Sequence, residues 1–376
     1  MNNENKTIRS VALYRILAML VVLYYHLVEI PSYSLEIINV TKSPLPAPIL
    51  PETAFSKVGL LIYYRLHVDM GSLAVVMFFI ASGYLISRMM ERYSRREFLV
   101  NRAISTFPTL WVSLIVIAVF VGLSQGIVFT PKDFLASMFP FWPVQSGAFI
   151  SAVLWTMRIE LKFYILAALF WKNRKAFVTC GYILIILMST VYYEFRTPAI
   201  HAQMLDIQFM CFSFLGVIIE DRQRALQEGG NRRHKYEYLQ VISACVLFNL
   251  ILFKTSAWLF QDGGDRMSYP NCVTQIFPVL LFVLLVELEQ HFPAAFQKIP
   301  RHILAIGKPV LPYYLTHVAC GLIAMMELSQ RGCGVIVTLL GGWVTAFFVA
   351  VVIYVLVTRP SGVLMKKIIR TMRKEQ

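Results

Sequence analysis

Apolar residues in this chain come in long runs, not in the alternation of a half-buried strand or the single stripe of a soluble amphipathic helix. A helix needs ~20 mostly apolar residues to cross ~30 Å of hydrocarbon. Ten segments meet that requirement: about 9–29, 71–90, 103–123, 150–171, 176–193, 204–220, 239–259, 271–288, 303–328 and 334–357. The fifth and sixth are the shortest. The pattern predicts an all-α, polytopic membrane helix bundle of about ten transmembrane helices forming one integral domain over 1–376. Lys and Arg set its orientation. With the N-terminus inside, the inner stretches are the N-terminal segment, Arg88–Arg102, Lys172–Lys175, Arg222–Lys235, Lys298–Lys308 and Arg359–Lys374. Together they hold 24 of the 35 Lys and Arg residues. Cytoplasmic connections carry the excess of these residues, so both termini are expected in the cytoplasm.

Two outer connections are long. Ile30–Asp69 contains Pro31, Pro44, Pro46, Pro48 and Pro51 and is too broken to be helical throughout. Phe129–Phe149 carries Phe139, Phe141 and Trp142 among prolines, which reads as an interfacial segment with rings at headgroup depth.

Composition agrees with the run pattern. The 376 residues are 57% hydrophobic and 15% charged, against roughly 25% charged in soluble domains. The formal net charge of +14 would suggest nucleic acid in a soluble protein. No basic stripe with interleaved aromatics stands outside the membrane segments, so membrane lipid is the expected anionic partner. The six cysteines are scattered without a C-x-x-C or a Cys/His spacing suited to zinc, and no metal is expected. The first apolar run carries Arg15 and lacks a small-x-small cleavage site, so it is read as a retained span.

Charges at membrane depth cost several kcal/mol and mark functional candidates. Arg15 and His26 lie eleven residues apart in the first span. They fall on nearly one helical face and about 16 Å apart along the axis. Arg15 sits low, where a cation suits an anionic donor. His26 sits near the outer end, where an imidazole suits proton transfer with a hydroxyl. The fourth span contains Trp155-Thr-Met-Arg-Ile-Glu-Leu-Lys-Phe-Tyr164. Arg158 and Lys162 share a face, and Glu160 shares another with Thr156 or Tyr164. The ninth span holds Tyr314-Leu-Thr-His317 after Pro309 and Pro312, and Ser82-Gly83 in the second reads as a close helix approach. Each of these residues has a bland alternative, an ion pair or hydrogen bond within the bundle. A glycan or lipid transporter, and an inactive scaffold, are the competing functions.

In order along the chain these stretches resemble the acyltransferase-3 family of membrane O-acyltransferases. Arg15 and His26 match its Arg-x10-His helix. Gly71-Ser-Leu-Ala-Val-Val-Met-Phe-Phe-Ile-Ala-Ser-Gly-Tyr-Leu-Ile86 matches its second helix. Trp155–Tyr164 looks like its Trp-Ser-Leu-x-x-Glu-x-x-Phe-Tyr, and Tyr314–His317 like its late Tyr-Leu-x-His. One departure stands out: the family's Arg-x-x-Arg before a proline is here Arg102-Ala-Ile-Ser105, ahead of Pro108.

The resemblance implies acyl transfer, with acetyl-CoA as cytoplasmic donor and a cell-surface or lipid-linked glycan as acceptor, in a bacterial inner membrane. It implies His26 as the catalytic residue, a general base on the acceptor hydroxyl or a brief carrier of the acyl group, with Glu160 orienting or charge-stabilising a histidine. Arg15 and Arg102 are expected against donor phosphate. Ser82, Arg158, Tyr164, Tyr314 and His317 are expected to line the substrate cavity.

Overall fold

Apolar runs of this length bury their backbone polar groups in their own hydrogen bonds, so each becomes a helix. The computed structural model describes residues 8–33, 53–66, 68–141, 150–151, 153–171, 173–195, 198–227 and 272–374. These are helical apart from short turns. In chain order the helices are α1 (Arg9–Glu29), α2 (Ala54–Leu66), α3 (Met70–Arg92), α4 (Arg95–Gln125) and α5 (Pro131–Met138). They continue as α6 (Leu154–Leu169), α7 (Arg174–Phe195), α8 (Pro198–Gln227), α9 (Cys272–His291), α10 (Pro293–Gln297) and α11 (Arg301–Ile306). The last are α12 (Val310–Gln330), α13 (Val335–Ile353) and α14 (Arg359–Lys374). One π turn, Tyr25–Glu29, forms the last part of α1 and leads into a short helical turn, Ile30–Tyr33, and another, Tyr354–Thr358, joins α13 to α14.

Six helical stretches among the described residues are long and apolar enough to cross a membrane: α1, α3, α4, Thr274–His291 of α9, α12 and the continuous Val335–Lys374. Helices α6, α7 and α8 coincide with the fourth to sixth expected spans. The seventh, 239–259, lies outside the described residues, as does Trp142. Outward-facing Leu20, Ile115, Leu123, Ile186, Leu284, Val344 and Phe348 are exposed large hydrophobics, as a lipid-facing surface requires. The chain is a multi-pass membrane protein.

Helix ends follow local chemistry. The Asp69 carboxylate caps α3, accepting from the backbone N–H of Gly71 at 3.0 Å and of Ser72 at 3.4 Å. Ser94 and Glu97 form a reciprocal capping box at the start of α4, and Gly126, at φ 67°, ends it. Thr130, Asp133 and Pro131 do the same for α5.

The described chain resolves into two compact units, each assembled from separated segments. The first comprises Met1–Val21, Ile62–Tyr93 and Ile165–Gly307. Within it α3 and α8 meet at glycines. A Cβ added at Gly83 would stand 1.8 Å from the Ser213 carbonyl oxygen, and one at Gly216 would stand 2.2 Å from that of Ile80. Ser82-Gly83 is thus a close-approach element, as its small residues suggested. The ends of the same helices are tied by charge. Arg174 bonds Asp221, lies 2.7 Å from Glu91 and donates to the Ser87 carbonyl at 2.9 Å. The start of α1 is held by Glu289, which accepts from the backbone N–H groups of Arg9 and Ser10 at 3.0 and 2.9 Å.

The second unit comprises Val22–Leu61, Ser94–Tyr164 and Lys308–Gln376. Its centre is α12, whose most apolar window is 83% buried, against 39% for α4 and for Val335–Lys374. Helix α14 runs back along α4. Thr358 pairs with Thr109 at 2.9 Å, the Asn101 amide reaches Met365 Sδ at 3.2 Å, and Arg373 Nε donates to Glu97 at 2.5 Å. Nearer the middle, Phe139 packs on Phe107 and Trp111 at 6.0 and 6.1 Å.

Candidate functional site

The second unit gathers most of the residues singled out in the sequence. Helix α12 begins at Val310 behind Pro309. Pro312 falls in its first turn, where a missing N–H costs nothing. Thr316 Oγ1 donates back to the Pro312 carbonyl at 2.8 Å. One residue on, His317 is fully buried. Its ring stacks on Tyr313 at 5.4 Å and 14°, and its Nδ1 lies 3.1 and 2.9 Å from the carbonyl oxygens of Tyr313 and Tyr314.

His26 is the second residue of the π turn Tyr25–Glu29, between the α-helical part of α1 and the turn Ile30–Tyr33. Such turns recur at functional sites, because the extra residue re-aims a side chain. Its Nδ1 lies 3.0 Å from the Val22 carbonyl oxygen and 3.2 Å from His317 Nε2. The rings meet edge to face, 4.8 Å apart at 76°. A glycine permits this approach. Gly321 lies one turn beyond His317, and a Cβ there would meet Leu27, the neighbour of His26, at 2.8 Å. The sequence placed both histidines at membrane depth but gave no reason to pair them. Gly321, at i+4 from His317, is the one local signal.

Helix α6 supplies a second set on one face, at i, i+4 and i+8. Thr156 Oγ1 pairs with the Tyr314 hydroxyl at 3.0 Å and donates to the Val153 carbonyl at 2.8 Å. Glu160 accepts a hydrogen bond from the Tyr164 hydroxyl. Arg102, in the second turn of α4, donates to that hydroxyl at 3.4 Å and to Asn101 at 3.1 Å, with its guanidinium 5.4 Å over the Tyr164 ring. Arg102 Nε is buried and has no hydrogen-bond partner among the described residues. A cation seated on an aromatic face and next to a carboxylate–tyrosine pair keeps one donor in reserve for an anion.

Glu160 was expected to orient or charge-stabilise a histidine; the hydrogen bond it shows is to the Tyr164 hydroxyl, one turn along its own helix, and the ring beside His26 is His317. Arg158 is buried in α6, alongside this set. Arg15 and Ser82 are partly buried members of the first unit, on α1 and α3. Residues to which the sequence reading gave no role are Asn101, Tyr313 and Gly321, which carry no charge at depth to mark them.

A bundle of apolar helices that encloses a histidine pair and a carboxylate–tyrosine–arginine set is a multi-pass membrane protein with chemistry built inside it. The chain matches the acyltransferase domain family, acyltransferase 3, over residues 8–359. It belongs to that family and is a membrane acyltransferase. Comparison with curated proteins and with solved structures returned no match.

Proposed function

We propose that this protein moves an acetyl group from cytoplasmic acetyl-CoA to a hydroxyl of a cell-surface or lipid-linked glycan, such as an O-antigen or exopolysaccharide, across a bacterial inner membrane. The observation that carries the reading is the His26–His317 pair. It commits Nδ1 of His26 to the Val22 carbonyl and His317, while His26 Nε2 bonds nothing among the described residues. An imidazole nitrogen with a lone pair in an apolar helix bundle is a general base.

In this reading His26 Nε2 takes the proton of the acceptor hydroxyl as its oxygen attacks the thioester carbonyl. A C–O bond forms, the C–S bond breaks, and the proton held on His26 passes to the departing thiolate. Arg102 meets donor phosphate with its uncommitted Nε. Glu160 holds Tyr164 under Arg102, so the carboxylate acts on the arginine side of the site and the histidines act on the hydroxyl side. Arg158 and Tyr314 contribute to the substrate cavity.

The test at the level of the cell is mass spectrometry of surface polysaccharide with and without the gene. The expected result is one acetyl mass per repeat, lost on deletion and on mild alkali. Unmodified glycan in both strains contradicts the reading.

Arg102 gives a sharper expectation. Arg102→Met keeps the aliphatic stem over Tyr164 and removes the charge. The KM for acetyl-CoA rises by about ten-fold or more, since a charge-assisted hydrogen bond contributes ~1.5–3 kcal/mol, while the acceptor KM holds. An unchanged donor KM in a titration of the purified variant removes Arg102 from the donor site.

A further inference from the structure

We propose that His317 is a positioning residue that holds His26 in the tautomer with its proton on Nδ1, so that Nε2 is the basic atom. Hydrogen-bond donors and acceptors around the two rings set the tautomer. A backbone carbonyl accepts and never donates. His317 Nδ1 faces two carbonyls, those of Tyr313 and Tyr314, so that nitrogen carries the hydrogen. His26 Nδ1 faces the Val22 carbonyl, so it too carries a hydrogen. The 3.2 Å contact between His317 Nε2 and His26 Nδ1 therefore has one possible sense. His26 donates, sharing its N–H between Val22 and His317, and His317 Nε2 accepts with its lone pair.

The edge-to-face angle of 76° suits this, because a ring nitrogen lone pair lies in the plane of its ring. His317 is held in that attitude by complete burial, by the stacked Tyr313 ring and by the two carbonyls. The reverse arrangement, with the His26 proton on Nε2, sets the Nδ1 lone pair of His26 against two other lone pairs, on Val22 and on His317. It also leaves no basic nitrogen on the uncommitted side of the ring. A partner that fixes which nitrogen carries the proton is the usual way an imidazole is prepared for its task.

The kinetic half of this inference rests on the base role proposed above, whereas the tautomer itself does not. Nitrogen-15 NMR of histidine-labelled full-length protein in lipid bilayers reads protonated and unprotonated ring nitrogens directly. The His26 signals are assigned by their loss in His26→Gln. The expected result is a His26 with a protonated Nδ1 and a bare Nε2, and a His317 of the same tautomer. In His317→Leu the second acceptor is gone, and a substantial Nε2-protonated population of His26 appears. The kcat falls by about 10–100-fold, the scale of a lost orienting partner, with both KM values held. In His317→Gln the amide oxygen accepts from Nδ1–H and most of the rate returns.

A wild-type His26 protonated on Nε2 overturns the inference, whatever the activity and whether or not the His317 variants fold. So does a His26 that stays Nδ1-protonated in His317→Leu, since Val22 alone then sets the tautomer. A tautomer that behaves as expected in a protein that transfers no acyl group upholds the inference and removes the base role instead.

Discussion

His26→Ala is expected to lower acyl-transfer turnover by about 10²–10⁴-fold, the contribution of a positioned general base, with the protein still folded and inserted. The size of the effect follows from the site. Among the described residues, the only nitrogen lone pair on the His26 face of the pair is Nε2 itself, because His317 turns its own lone pair inward to His26. Alanine leaves no side chain to take its place. The helix end persists because its anchoring is apolar, through Leu27 against Gly321. His291→Ala is the matched control. That ring is exposed and bonds the carbonyl of Glu287 on its own helix, so its loss leaves turnover unchanged. Single-turnover measurement with saturating donor separates the chemical step from binding. Equal turnover in the wild type and His26→Ala, with His291→Ala alongside, removes His26 from the chemistry.

The second large effect is structural. Gly83→Ala is expected to destabilise the protein by about 1–3 kcal/mol, the scale of overpacking a close-packed interior, and Gly83→Val by more. At Gly83 the nearest obstacles to a Cβ are the Ser213 carbonyl oxygen at 1.8 Å, its carbon at 2.6 Å and its Cα at 2.8 Å. These are backbone atoms and cannot rotate aside. Gly216 presents the same geometry from the other helix, with the Ile80 oxygen at 2.2 Å and the Tyr84 nitrogen at 2.7 Å. A methyl at either position pushes α3 and α8 apart and strips contact from their buried faces. Gly122→Ala on α4 provides the contrast. The nearest atom to its Cβ is the Ile127 oxygen at 3.4 Å, and a glycine replaced by alanine inside a helix gains ~1 kcal/mol. Thermal unfolding in detergent is expected to drop for Gly83→Ala and to hold or rise for Gly122→Ala. A Gly83→Ala protein as stable as the wild type contradicts the α3–α8 contact.

How much of this was written in the sequence depends on the physical range of each signal. The long apolar runs were legible because lipid demands them residue by residue. Helix α6 carries Arg158, Glu160 and Lys162 within its apolar run, so its span is less evident from composition than those of α1, α3 or α4. Contacts one or two turns apart were also legible. Glu160 was placed on a face with Thr156 and Tyr164, and it bonds Tyr164. Ser82-Gly83 was read as a close approach, and Gly83 makes one.

Partnerships across the chain were not legible. His26 and His317 are 291 residues apart, and each alone looks like a histidine with any of several duties. Periodicity says which face a residue occupies, but the helix that packs on that face is decided by tertiary contacts such as Gly321 on Leu27. The missing second arginine, Ser105, was visible as a departure. What the sequence did not carry is that Arg102 rests over Tyr164 with its Nε unpaired.

The most direct test of the account uses inverted inner-membrane vesicles, whose cytoplasmic face is turned to the medium, supplied with acetyl-labelled CoA. Wild-type vesicles are expected to place the label on glycan as an alkali-labile ester, and vesicles carrying His26→Ala at the same protein level are expected to place almost none. Label reaching glycan equally in both, or in neither, contradicts the claim that this chain transfers an acyl group from the cytoplasmic side through His26.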